Sequence, residues 1–235
     1  MTEGMEAFER VFQAVPAGLA LDVASGPGGF AEALMSNSKR LRVVVAADSS
    51  LKPLQTINTR GVIPAAMDAG CLAFRTGTFS AAAISNSLHH MEDPAAVLAE
   101  MLRVLAPGGM LIVREMFSGG GQTPAQITHT LMHNWWGRVD TSRGILHRRV
   151  FTSYELRELV ENSGARDIRF SEVEDITGDP FDEAVLKRIE QAYDAYMGRT
   201  SDPGLKEEGT EALTHMREHG FAGGRALLAC GWKPV

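Results

Sequence analysis

Cysteine is scarce in this sequence, with Cys71 and Cys230 the two examples among 235 residues. That is too few for a disulfide framework or a cysteine-based structural zinc site, so both read as reduced thiols of a cytoplasmic protein. No apolar run approaches the ~18 residues of a membrane span, and no membrane partner is expected. The opening MTEGMEAFER lacks the basic flank and apolar centre of an export signal. Basic runs are missing too. The nearest are Lys39-Arg40 and Arg148-Arg149, and the net charge is −6. A surface that tracks phosphates needs a basic face, so no nucleic-acid partner is expected. There is no internal repeat and no low-complexity segment. What is present is globular in proportion, 44% hydrophobic and 22% charged, in a length that suits one domain over residues 1–235.

The first half alternates strand and helix signals. Strands are expected at Gly18–Val23, Leu41–Ala46, Val62–Ala66, Phe79–Ser85 and Met110–Arg114. Leu41–Ala46 is apolar and β-branched, as a strand buried on both faces should be. Helices are expected at Phe30–Met35, Ser50–Thr59 and Pro94–Leu105, the last capped by Asp93 and stopped by Pro107-Gly108-Gly109. Strands that alternate with helices predict a doubly wound, mostly parallel α/β sheet.

The alternation breaks at Ser118-Gly119-Gly120-Gly121. Beyond it a helix is expected at Thr123–Trp136 and irregular or extended chain at Gly137–Val150. A further helix should start at Ser153, although Leu156 stands where the capping-box partner of Ser153 belongs. Then come a strand at Ile168–Val173, helices at Phe181–Tyr196 and Leu205–His219, and a strand at Arg225–Trp232. The stretches 118–150 and 175–220 are expected to form a helical cap outside the core. The last two helices would equally suit the face of a homodimer.

The sharpest motif is Leu19–Ala33, LALDVASGPGGFAEA, a buried strand that turns through glycines into a helix. Gly26-Pro27-Gly28-Gly29-Phe30-Ala31 satisfies G-x-G-x-x-G/A. The first glycine allows the sharp turn, and the second allows a ligand against the backbone. The helix N-terminus then favours a negative group. Asp48 ends the next strand, 20 residues past Gly28, where an acid can accept both hydroxyls of a ribose. Strand, turn, helix and acid together point to a nucleoside-containing cofactor.

Asp22-Val23-Ala24-Ser25-Gly26-Pro27-Gly28 resembles the first motif of class I S-adenosylmethionine-dependent methyltransferases, D-x-G-x-G-x-G. Ala24 departs from it and suits the turn only if it keeps a negative φ. The resemblance runs well over Leu19–Arg114 and more loosely beyond. It implies a Rossmann-like seven-stranded sheet, mostly parallel with the last strand antiparallel, and S-adenosylmethionine as the cofactor. The implied cofactor site is Asp22, Ala24, Ser25, Gly26 and Gly28 in the first turn, Asp48 and Ser49 at the ribose, Asp68 and Ala69 at the adenine, and Asn86 at the fourth motif. A sulfonium methyl is already activated, so the protein has chiefly to align the acceptor and exclude water.

His89 and His90 follow the fourth motif, and one of them is a candidate general base, since imidazole titrates near neutrality. Asn86-Ser87-Leu88-His89 is unlike the N/D-P-P-Y/F of amine methylation, and neither cysteine follows a proline as in cytosine C5 methylation. A small-molecule acceptor is the remaining expectation. His129, His133, Trp135, Trp136 and His147 are the candidate acceptor contacts. His129 and His133 lie one helical turn apart, but no third ligand of obvious spacing accompanies them, so no metal is expected. The rival readings are an NAD(P)-dependent oxidoreductase, which shares the glycine pattern, and a non-catalytic nucleoside-cofactor-binding protein. Against the first, no tyrosine is followed by lysine four residues later.

Overall fold

The computed structural model describes residues 3–174 and 178–235. Its strands are β1 (Gly18–Val23), β2 (Leu41–Asp48), β3 (Val62–Ala66), β4 (Phe79–Ser85), β5 (Leu105–Ser118), β6 (Phe151–Thr152), β7 (Arg166–Glu174) and β8 (Arg225–Trp232). Seven of them follow one path, β3-β2-β1-β4-β5-β8-β7, and the two-residue β6 pairs in parallel with the end of β5. The path is parallel from β3 to β5, while β8 runs antiparallel to both β5 and β7. The expected sheet is therefore present, with β6 as an addition. Strand order reverses between β1 and β4, and the carboxyl ends of strands at such a reversal open a crevice for ligands.

The central strands are buried on both faces because helices cover both. Ala20, Leu21 and Val23 of β1 and Ala81–Ile84 of β4 are fully buried. The helices are α1 (Glu3–Ala14), α2 (Gly29–Asn37), α3 (Leu51–Leu54), α4 (Pro94–Val104), α5 (Pro124–Ser142), α6 (Ser153–Glu161), α7 (Glu183–Met197) and α8 (Pro203–His219). Asp93 caps α4 as expected, accepting from the Ala96 N–H at 3.0 Å.

Several elements differ from the sequence expectation, among them β5, which starts at Leu105, takes in Pro107-Gly108-Gly109 and runs past Arg114 to Ser118. Nothing was assigned ahead of Gly18, yet α1 buries Ala7 and Val11 against the sheet. The helix expected over Ser50–Thr59 shrinks to the four residues of α3. The helix expected to end at Trp136 runs on through Gly137 to Ser142. Gly137 is tolerated inside α5 because a β-carbon there would meet the His147 ring and backbone at 3.2 Å. Finally, the cap of α6 is Thr152 rather than Ser153, and its capping box with Glu155 is complete.

Helices α5, α7 and α8 pack on one another around Met132, Trp135, Val139, Ile189, Tyr193 and Met216. They hold most of the two stretches expected outside the core, of which residues 175–177 lie outside the described residues. No helix among the described residues is long and apolar enough to cross a membrane.

Candidate active site

The carboxyl ends of β1, β2, β3 and β4 open on a single cleft of about 910 Å³. Each strand end contributes one stretch of its wall. Ala24 and Gly26 follow β1, Asp48 and Ser49 close β2, Met67–Gly70 follow β3, and Asn86 and Ser87 follow β4. His90 and Met91 extend the wall beyond β4.

The first turn is held from both sides. The Ser25 N–H donates to the Ala47 carbonyl at 2.9 Å, and the Gly26 N–H donates to Asp48 Oδ2 at 2.8 Å. Ser87 Oγ donates to the Ala24 carbonyl at 3.1 Å and ties this turn to the β4 loop. Ala24 adopts φ 53, not the negative φ its side chain would prefer. Left-handed alanine costs roughly 1–2 kcal/mol, and the surrounding bonds hold it there. The glycine roles are also exchanged. Gly26 lines the cleft with open space above it, whereas a β-carbon on Gly28 would strike Ile57 at 2.9 Å. Gly28 is thus a packing glycine that caps α2 at φ 86, and neither it, Ser25 nor Asp22 lines the cleft.

Asp48 uses both oxygens locally, Oδ2 on Gly26 and Oδ1 on the Ser50 N–H at 2.8 Å. A carboxylate has about four acceptor positions, so free lone pairs remain for a ligand's hydroxyls. Asp68 Oδ1 accepts from the Gly70 N–H at 2.7 Å, which fixes the β3 loop beside Ala69. Cys71 is exposed and stands off the cleft wall. Asp22 lies beneath the turn. Burial pushes its carboxyl up to about 8, against a downward pull from the Ala31 N–H, and the Asp48 charge adds to the rise.

The β4 loop depends on Glu115, which the sequence reading passed over. This fully buried carboxylate accepts from the Ser87 and Leu88 N–H groups at 2.9 and 2.8 Å and meets His89 Nδ1 at 2.6 Å. A lone acid inside MLIVREMF, a strand buried on both faces, was the signal available. Asn86, at φ 48, accepts the Met116 N–H at 3.0 Å through Oδ1 and so anchors the loop as well as lining the cleft.

The histidines sort differently from the sequence expectation. His90 is exposed and lines the cleft, whereas His89 is buried behind it. His133 lies 6.2 Å from His129 between ring centroids but packs more closely with His89 and His147, each at 4.8 Å. His90 packs with His89 at 4.1 Å and with His147 at 4.3 Å. The further ligand types that local spacing did not supply are thus brought in from other segments. His129 instead accepts the Gly224 N–H at 2.9 Å and rests on Phe221. Although His90 is exposed as a residue, desolvation of its ring lowers it to about 4, with His89 and His147 adding to the effect, so its imidazole is neutral at pH 7. Burial likewise lowers His129 to about 4, assisted by Arg114.

The tryptophans divide in the same way. Trp135 is 2% exposed among α5, α7 and α8 and donates to the Leu205 carbonyl at 2.7 Å, which makes it an anchor and not a lining residue. Trp136 is half-buried between His133 and Tyr196, and its indole nitrogen has no partner.

Residues 21–113 match the model of a methyltransferase domain. Over 104 residues the chain is 40% identical to a demethylmenaquinone methyltransferase of Renibacterium salmoninarum, covering 43% of each chain. Over 100 residues it is 37% identical to a ubiquinone/menaquinone biosynthesis C-methyltransferase of Desulfotalea psychrophila, covering 41% of this chain and 40% of the relative. The chain thus spans less than half the length of these relatives. The fold is shared with a Bacillus halodurans protein described as a putative methyltransferase, at TM-score 0.63 and 17% identity over 97% of this chain and 98% of that one. It is shared equally with the [4+2]-cyclase SpnF, at TM-score 0.63 and 20% identity over 98% of this chain and 80% of that one.

Proposed function

We propose that this chain, whose residues 21–113 match the model of a methyltransferase domain, is an S-adenosylmethionine-dependent enzyme that methylates a small-molecule acceptor. One observation carries the reading. At the tip of β2 a carboxylate, Asp48, is oriented by two backbone N–H groups beside an open Gly26, the arrangement a ribose and its neighbouring chain require. In this reading Asp48 holds the ribose, Asp68 and Ala69 flank the adenine, and the turn at 24–26 takes the methionine end of the donor. Asn86 and Ser87 border the methyl group.

In this reading the acceptor enters past His90 and Met91, which extend the cleft wall beyond β4. Methyl transfer needs an acceptor atom in line with the S–CH₃ bond and little water, and positioning of this kind contributes up to ~7–11 kcal/mol in ideal cases. His90, neutral and on the wall, is placed to take a proton from an acceptor that must lose one, but lowered to about 4 it is a weaker base than a free imidazole, so its contribution falls below the ~10²–10⁴-fold of a base matched to neutral pH. The names of the relatives point to quinone rings, while the acceptor side of this chain is built largely from segments outside residues 21–113.

A thermal-shift panel tests the reading. S-adenosylhomocysteine at 100 times its Kd should stabilise the fold by about 2.7 kcal/mol, and NAD or NADP should not. Stabilisation by NAD or NADP in place of S-adenosylhomocysteine would overturn it.

A further inference from the structure

Four imidazoles from three separate segments meet beside the cleft. His89 and His90 come from the short 3-10 turn after β4, His133 from α5, and His147 from the chain that follows α5. One nitrogen from each lies within 4.8 Å of those of the others. Three of these nitrogens, His89 Nε2, His133 Nδ1 and His147 Nε2, are buried and have no hydrogen-bond partner. An unpartnered buried polar atom is destabilising, and here three of them sit together.

The opposite edge of two rings is committed. His89 Nδ1 meets Glu115 Oε1 at 2.6 Å, and His147 Nδ1 meets Asp140 Oδ2 at 2.9 Å. Both carboxylates are themselves held, Glu115 by two backbone N–H groups and Asp140 by the Tyr196 hydroxyl at 3.0 Å. A carboxylate on Nδ1 puts the proton there, so the lone pair of Nε2 faces the centre of the cluster. Carboxylate–histidine pairs of this kind surround metal ions, where they fix the tautomer and strengthen the ligand.

We propose that His89 Nε2, His133 Nδ1 and His147 Nε2 bind one divalent transition-metal ion, zinc being the best fit, with a fourth position open towards His90 and the cleft. Imidazole donors suit zinc and its neighbours and do not suit magnesium or calcium, which take oxygen ligands. Zinc–nitrogen bonds of ~2.0–2.1 Å bring tetrahedral ligands to roughly 3.4 Å apart, so the rings need only close inwards by side-chain rotation. Three histidines with one open position is a coordination set of catalytic zinc. On the methyltransferase reading above, the open position would hold an acceptor oxygen beside the methyl donor. The ion site itself does not depend on that reading.

The test uses the untagged full chain, stripped with a chelator and titrated with Co(II), then with Zn(II). The expected result is one Co(II) per chain with the visible absorption of a four-coordinate site, displaced by one Zn(II). His133→Ala and His147→Ala should each weaken binding at least ~100-fold, and Glu115→Gln and Asp140→Asn by ~10–100-fold. A His215→Ala/His219→Ala control removes the other close histidine pair, whose centroids are 4.5 Å apart, and should leave the titration unchanged. Absence of stoichiometric binding to the wild type, or binding that survives His133→Ala/His147→Ala, overturns the proposal. If a variant does not fold, the wild-type titration decides alone. S-adenosylhomocysteine is titrated in parallel: its failure to bind a protein that still takes one metal would remove the methyltransferase reading and leave the metal site standing.

Discussion

Asp48 and Asp22 are both acids of the first turn's surroundings, but Asp48 lines the cleft and Asp22 is buried away from it. Asp48 lines the cleft with both oxygens on backbone N–H groups, so it stays an acceptor for a ligand. Asp48→Ala should weaken S-adenosylhomocysteine binding by ~1.5–3 kcal/mol, the range for hydrogen bonds to a charged group, as read by calorimetry. Asp22 is 1% exposed, and burial raises its carboxyl from 3.8 to about 8. Between those values the folded chain keeps a proton that the unfolded chain releases, so this group's contribution to stability falls as pH rises through that window. Asp22→Asn removes that slope. Chemical denaturation at pH 5 and pH 9 should shift in the variant's favour by at least ~1.4 kcal/mol, one pKa unit's worth. An unchanged difference between the two pH values would place the Asp22 carboxyl in its ordinary range. Asp48 and Asp68 were legible in the sequence because an acid directly after an apolar run is a local signal. Glu115 was not picked out, because its partners are 26 to 28 residues away.

At the level of elements, α1 and β6 were not read from the sequence at all, while the other helix and strand cores followed from periodicity and the reading slipped at their ends. Ser153 and Thr152 are both capping residues by type. What selects Thr152 is Glu155, which accepts the Thr152 N–H at 2.8 Å while Thr152 Oγ1 accepts the Glu155 N–H at 3.2 Å. Thr152→Ala should destabilise the protein by ~1 kcal/mol and Ser153→Ala by much less, measured by urea unfolding, with S-adenosylhomocysteine affinity unchanged in both. Gly137 misled for a related reason. Glycine normally marks a helix end, but here it clears room for His147, a residue ten positions further along the chain. The same contact brings His147 back against α5 and into the cluster with His133.

For the molecule as a whole, the question is how α5, α7 and α8 are held as one layer. Trp135 is the pin: it is buried, stacks near Tyr193 at 5.2 Å, donates to the Leu205 carbonyl, and a β-carbon on Gly209 of α8 would run into its ring. Trp135→Ala should cost ~3–5 kcal/mol by denaturant unfolding, and hydrogen exchange should rise first in α5, α7 and α8 and not in β1 or β4. Uniform loss of protection across the sheet would mean that the layer and the sheet unfold as one unit.

The strand–glycine–helix unit, the acids at strand ends and the parallel sheet were determined by the sequence itself. Each rests on a local property: apolar runs that must be buried on both faces, glycine where the backbone turns left-handed, and a carboxylate one step beyond a strand. The tertiary structure alone decided which histidines meet, that Glu115 and Asp140 stand behind two of them, that Trp135 is an anchor, and that Ala24 is held at positive φ. Those outcomes depend on contacts between residues far apart in the chain. Such contacts are set by how the helices pack over the sheet and not by any pattern within one segment.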